Sequence, residues 1–181
     1  MNDTIDASTT VAPSTGITAN LGTGTLTVNG SGSLFPLKFN VSNFENVIGT
    51  NFNDGITGDN GNNQLVGNAG KDTLTGGAGN DILNGGAGND ILNGGDGNDT
   101  LIGGDGADKF VFTNPKEGID IIQDFSQGDL IQIPKARFGA KDSSQFNYNV
   151  SSGNLSFLGN VFAKLQNAPN FTVDFDIQLL K

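Results

Sequence analysis

Apolar side chains recur every nine residues through the middle of the chain, at Ile56, Leu65, Leu74, Leu83, Leu92, Leu101 and Phe110. The frames that carry them begin at Gly49, Gly58, Gly67, Gly76, Gly85, Gly94 and Gly103, and the middle ones read GGAGNDILN, GGAGNDILN and GGDGNDTLI. Two residues before each apolar position stands a second column: Asp54, Asn63, Asp72, Asp81, Asp90, Asp99 and Asp108. A fixed period of this kind is the mark of a stacked repeat. Successive side chains of a strand face opposite sides, so the last three positions of a frame make a short strand whose middle residue points inward. The six positions before it make a turn. Two frames complete a lap of 18 residues, and odd and even frames form opposite edges of one stack.

The flanks read differently. Of thirteen Phe and one Tyr, only Phe52 and Phe110 fall within the repeats. After the last frame, Lys109–Phe112, Ile119–Phe125 and Gly128–Ile133 alternate or run apolar at strand length, with turn residues between them. Further short strands are predicted at Phe146–Val150, Leu155–Leu158, Val161–Leu165 and the ending Phe171–Lys181. Before the repeats, Gly16–Asn29 and Leu34–Ile48 alternate in strand fashion and are expected to form wider coils on the same stack. Asn2–Asp6 fits positions five to nine of a frame that has lost its glycines, as in an excised C-terminal piece of a larger protein. The organisation expected is an N-terminal β cap at 1–48, the repeats at 49–111 and a C-terminal β cap at 112–181. An isolated GxGxD is usually a flexible turn, but seven frames in register with an unbroken apolar column are not.

The nonapeptide GGxGxDxUx resembles the repeats-in-toxin (RTX) family. That resemblance implies an all-β fold: a calcium-bound parallel β-roll, a right-handed solenoid, with β-rich caps at both ends. Glycine leaves main-chain carbonyls unshielded, and calcium takes six to eight oxygen ligands, which a carboxylate and carbonyls can supply. The resemblance implies that carbonyls of positions one and three serve one ion and those of two and four the next, with the position-six Asp bridging both. The expected ligand loops are Gly67, Ala69, Gly70 and Asp72; Gly76, Gly77, Ala78, Gly79 and Asp81; Gly85, Gly86, Ala87, Gly88 and Asp90; Gly94, Gly95, Asp96, Gly97 and Asp99; and Gly103, Gly104, Asp105, Gly106 and Asp108. About four to six ions are expected. The loop of Gly76, Ala78 and Asp81 would share an ion with the frame at either Gly58 or Gly94. The first two frames are expected to bind poorly, because Phe52 takes a glycine position and Asn63 replaces the acid; Asp54 and Asn63 are secondary candidates. Asp59 and Asn68 stand at position two, where Asn and Asp best tolerate left-handed angles.

The segment after the repeats resembles the cap that follows RTX repeats, and there Asp120, Asp124 and Asp129 either complete a last calcium site or serve as solvated or turn-capping acids. The ending resembles the C-terminal region of type I secreted RTX proteins, which carries an uncleaved export signal; an ordinary cap strand explains the same residues.

Composition narrows the chemistry. The absence of Cys and His removes disulfides, thiolate sites, the commonest general base and the usual catalytic zinc ligands. A formal charge of −10 with nine Lys and Arg argues against nucleic acid. No stretch reaches the length of a membrane span, and the start lacks the basic-then-apolar order of a secretory signal, so export is expected by another route. Nine Asp and two Lys give the repeats a charge of −7; with their glycine-rich backbone, they are expected to be disordered without metal and to fold outside the cell, where calcium is abundant. The first functional reading is therefore an extracellular, calcium-triggered RTX module, exported from a Gram-negative bacterium by type I machinery, that serves as spacer or cap for a larger secreted protein. A second is a calcium-dependent adhesin or carbohydrate-binding module, using outward residues such as Thr73, Thr75, Asn84 and Asn93 against a glycan or protein partner. Enzyme activity is not expected, since nearly half of the acids belong to the repeats and no other pair is placed in a cleft.

Overall fold

The computed structural model describes residues 3–8, 16–29, 37–168 and 171–181; Met1, Asn2 and the predicted strand start at Leu34–Pro36 lie outside them. The central strands are β1 (Thr4–Asp6), β2 (Ile17–Asn20), β3 (Thr25–Val28), β4 (Leu37–Asn40), β5 (Asn46–Ile48), β6 (Gly55–Thr57), β7 (Gln64–Gly70), β8 (Thr73–Ala78), β9 (Ile82–Gly88), β10 (Ile91–Asp96), β11 (Thr100–Asp105) and β12 (Lys109–Val111). The C-terminal region adds β13 (Asp120–Ile122), β14 (Leu130–Pro134), β15 (Phe146–Asn149), β16 (Asn154–Phe157), β17 (Asn160–Leu165) and β18 (Ile177–Leu180).

The strands form two nine-stranded sheets, ordered β1-β5-β7-β9-β11-β13-β17-β16-β15 and β18-β14-β12-β10-β8-β6-β2-β3-β4. Consecutive frames therefore alternate between sheets, and the pairing through the repeats is parallel with Leu65 opposite Leu83, Leu83 opposite Leu101, Leu74 opposite Leu92 and Leu92 opposite Phe110. This is an open, two-sided β-roll. Its interior is the apolar column itself: Leu65, Leu74, Leu83, Leu92, Leu101 and Phe110 are fully buried.

The columns continue past the nonapeptides. On one sheet Ile5, Val47, Leu65, Leu83, Leu101, Ile122 and Leu165 stand in line; on the other the line is Ala19, Ile56, Leu74, Leu92, Phe110, Ile131 and Ile177. The strands within the repeats are longer than the three residues expected. β7 to β11 run six or seven residues, because the turns also pair, Gly77 with Gly95 and Gly86 with Gly104. Turn backbones without side chains can lie at sheet spacing.

The N-terminal segments form stack coils only in part: β5 pairs in parallel with β7. β2 joins the parallel stack, but β3 and β4 leave it as an antiparallel extension. At the other end, β17, β16 and β15 make an antiparallel extension of the opposite sheet. Antiparallel strands need only tight turns, so a chain can reverse on itself at a stack end without completing a lap. The ending Phe171–Lys181 begins with a helical turn at Val173–Asp176 before β18.

Phenylalanine fills the C-terminal end. Phe162 lies 5.1 Å from Phe112 and 5.5 Å from Phe138, ring centre to ring centre, both edge-on, and Phe146 lies 4.9 Å from Phe157. Edge-to-face rings bury large apolar areas with favourable quadrupole contact. Replacing buried Phe162 by alanine is expected to cost about 3 to 5 kcal/mol, read as a lowered denaturation midpoint in excess calcium.

Candidate metal centre

The position-six column is buried as completely as the apolar one: Asp72, Asp81, Asp90, Asp99 and Asp108 are each at most 1% exposed. Each carboxylate is held through one oxygen. Oδ1 of Asp72, Asp81, Asp90 and Asp108 accepts the backbone N–H of Asp54, Asn63, Asp72 and Asp90 respectively, at 2.7 to 2.8 Å. Asp99 Oδ1 accepts the N–H of Asp81 at 2.8 Å. Each acid thus reaches back one lap. The other oxygen, Oδ2, of these five residues is buried without any hydrogen-bond partner. A buried charged oxygen with no partner is strongly unfavourable.

The first glycine of each loop faces that oxygen. A methyl group added at Gly76 would collide with Asp81 Oδ2 and with the carbonyl oxygen of Gly94. At Gly67 it would meet Asp72 Oδ2 and the Gly85 carbonyl, and at Gly85 it would meet Asp90 Oδ2 and the Gly103 carbonyl. One small space therefore brings together an unpartnered carboxylate oxygen and a carbonyl from the next lap. The Gly76 loop takes part in both directions: its own space meets the Gly94 carbonyl, and its carbonyl meets the space at Gly58. At Gly103 the nearest atoms are instead the Asp108 carboxylate and the edge of Phe110.

Among the described residues, no three Asp, Glu, His or Cys side chains come together as a metal cluster. Any cation here relies on main-chain oxygens around a single carboxylate, a hard, all-oxygen donor set of the kind that suits calcium. The orphaned Oδ2 and the glycine-only space beside it both fit such an ion. Position-three carbonyls are partly engaged: Asp96 O accepts the Gly79 N–H at 2.8 Å. A carbonyl keeps a second lone pair for another partner.

Asp54 and Asn63 have no such open oxygen. Asp54 Oδ2 accepts the N–H of Thr50 at 2.6 Å, and Asn63 Oδ1 accepts that of Asp59 at 2.8 Å. Of the two position-two residues expected in left-handed geometry, Asn68 adopts it, with φ 79°, and Asp59 does not.

Asp120 and Asp129 extend the acid ladder across a three-residue insertion, accepting the N–H groups of Asp99 at 3.0 Å and Asp108 at 2.9 Å. Asp129 Oδ2 also takes the Ser126 N–H at 2.7 Å. Asp124 spends both oxygens on the N–H groups of Gly103 and Gly104, at 2.9 and 2.8 Å. The frame that begins at Pro115 keeps Gly118, Asp120 and Ile122 at positions four, six and eight. One further ladder was not expected from the sequence. Asn53, Asn62, Asn80, Asn89 and Asn98, at position five, accept the N–H of Lys71, Asn80, Asn98, Ala107 and Ile119 one lap ahead. The Asn that recurs at position five of five frames was the signal for it.

Residues 48–83 and 75–110 match the sequence model of one family, the RTX calcium-binding nonapeptide repeat in four copies. Residues 48–110 are RTX repeats. This segment is a calcium-binding repeat, and RTX repeats are generally structural rather than catalytic. Proteins that carry them are typically secreted. No curated protein matches the chain. Among the described residues no helix is long and apolar enough to cross a membrane.

Burial is the main force on the RTX acids, and it raises their pKa values. Asp72 is pushed up to about 7 and Asp81 and Asp108 to about 6, with neighbouring carboxylates of the column adding to the effect. Asp120 rises to about 8 for the same reasons. Asp90 and Asp99 shift in the same direction, also chiefly by burial. In the unfolded chain such acids titrate near ~3.9. The metal-free fold therefore binds more protons than the unfolded chain from about pH 4 to about pH 8, and its stability falls as pH rises through that window. In chelator, the far-ultraviolet circular dichroism of the roll is expected to be more β-like at pH 5 than at pH 8. The calcium concentration at the folding midpoint is expected to fall as pH drops from 8 to 6, because protons stabilise the folded acids while those of the unfolded chain stay ionised.

Proposed function

We propose that this chain is an extracellular module whose RTX roll folds when calcium binds after type I secretion, and that the folded roll serves as spacer or cap for a larger secreted protein. The observation that carries this reading is the row of five buried Oδ2 atoms with no partner. Residues 49–111 form the switch, and residues 1–48 and 112–181 close its ends.

The carboxylates of Asp72, Asp81, Asp90, Asp99 and Asp108, together with main-chain carbonyls of the loops that begin at Gly67, Gly76, Gly85, Gly94 and Gly103, hold about four to six ions. Bound calcium supplies the missing partner for each Oδ2 and offsets the −7 charge of the repeats. The rest is done by the chain. Each Oδ1 fixes the carboxylate against the previous lap, glycine at position one keeps the space open, and the apolar columns bury once the acids are neutralised. Extracellular modules bind calcium with dissociation constants near 10⁻⁴ to 10⁻³ M, and a site at ten times its constant contributes about 1.4 kcal/mol. Several coupled sites at that level convert a marginal roll into a stable one. At the far lower calcium of bacterial cytoplasm the roll remains open, as passage through a secretion channel requires.

Far-ultraviolet circular dichroism of the full chain with chelator and then with millimolar calcium tests the reading. Conversion from a disordered to a β-rich spectrum is expected, with Asp81→Asn shifting the midpoint to higher calcium. A β-rich spectrum in chelator at pH 8, unchanged by calcium, would sink it.

A further inference from the structure

We infer that the backbone conformation at the second position of each frame determines whether that coil takes a cation; this rests on the calcium reading above and assigns the choice to named residues. In five frames the position-two residue is left-handed: Asn68 at φ 79°, Gly77 at 115°, Gly86 at 101°, Gly95 at 98° and Gly104 at 95°. These are the frames of Asp72, Asp81, Asp90, Asp99 and Asp108, whose Oδ2 atoms have no partner. In the remaining two frames, Thr50 and Asp59 are not left-handed, and their N–H groups donate to the position-six oxygen of their own loop.

The two arrangements differ by a flip of the peptide between positions one and two. A flip changes the sign of φ at position two and reverses the N–H. In one state the N–H points into the loop and caps the acid or amide. In the other it points away, and the oxygen is left for an ion. Thr50 reinforces the capped state with its hydroxyl, 3.1 Å from both Asp54 oxygens. Asn63 reinforces it through its amide, which donates to Glu45 O at 2.9 Å. The first two coils are thus closed by hydrogen bonds where the next five are closed by calcium.

Asn68 separates conformation from glycine content. It is not glycine, yet it is left-handed and its loop leaves Asp72 Oδ2 open. Asn tolerates this region, whereas a β-branched residue is a genuine outlier there. Asn68→Thr therefore favours the flipped peptide, which caps Asp72, while Asn68→Gly keeps the open state.

Native mass spectrometry of the full chain in saturating calcium counts the ions. Asn68→Thr is expected to hold one ion fewer than the wild type, and Asn68→Gly the same number as the wild type. An unchanged count in Asn68→Thr overturns the inference; so does a loss in both variants, which would assign the effect to the Asn side chain. Where Asn68→Thr does not fold, the double variant Thr50→Gly, Phe52→Gly decides: one added ion supports the inference and an unchanged count overturns it. A wild-type chain that holds no calcium at all removes the calcium reading itself, an outcome distinct from the others.

Discussion

The carboxylate at position six is tied through one oxygen and open at the other, and the stability of the roll depends on what meets the open one. The tie is a backbone N–H from the previous lap, so folding itself drags each acid into the interior. Once there, its second oxygen is buried with no hydrogen-bond donor. Burial raises the pKa of these acids, the column of like charges raises it further, and a cation among them would oppose both effects. The glycines serve the same end. Their role is less flexibility than room, since any side chain at Gly67, Gly76 or Gly85 would fill the space the oxygens share.

The two ends of the stack are closed by antiparallel strands. At the N-terminal side the strands β2, β3 and β4 fold back on one sheet, and at the C-terminal side β17, β16 and β15 fold back on the other. Aromatic residues fill the C-terminal closure, with Phe125 lying 5.9 Å from Phe110 and 5.3 Å from Phe171, so that the last column residue of the nonapeptides is covered by a ring. A repeat stack needs such atypical ends, because its terminal coil otherwise presents an apolar face and an open edge.

Much of this was legible in the sequence because period-nine regularity leaves a one-to-one trace. Spacing alone puts Leu65, Leu83 and Leu101 on one sheet and Asp72, Asp81 and Asp90 in the acid column. The antiparallel turn from β2 to β3 was missed because alternation marks a strand and says nothing of its partner. The coils of Asp120 and Asp129 were hard to see for a different reason. A three-residue insertion at Phe112–Asn114 breaks the count, and after it only Gly118, Asp120 and Ile122 of one coil and Asp129 and Ile131 of the next keep their places. The capping by Thr50 was hidden because it depends on the direction of a peptide plane, which residue identity only biases.

Residues 76–84 and 85–93 have the same sequence, yet they lie on opposite sheets. Nothing within either segment says which sheet it belongs to. A slip of nine residues through the centre would bury the same leucines and align the same acids. The correct alignment is therefore imposed from outside the uniform part, by differences such as Asn63 on one side and the insertion at Phe112–Asn114 on the other. The central coils are interchangeable parts, and the identity of each is a matter of address, read from the irregular ends of the molecule inward.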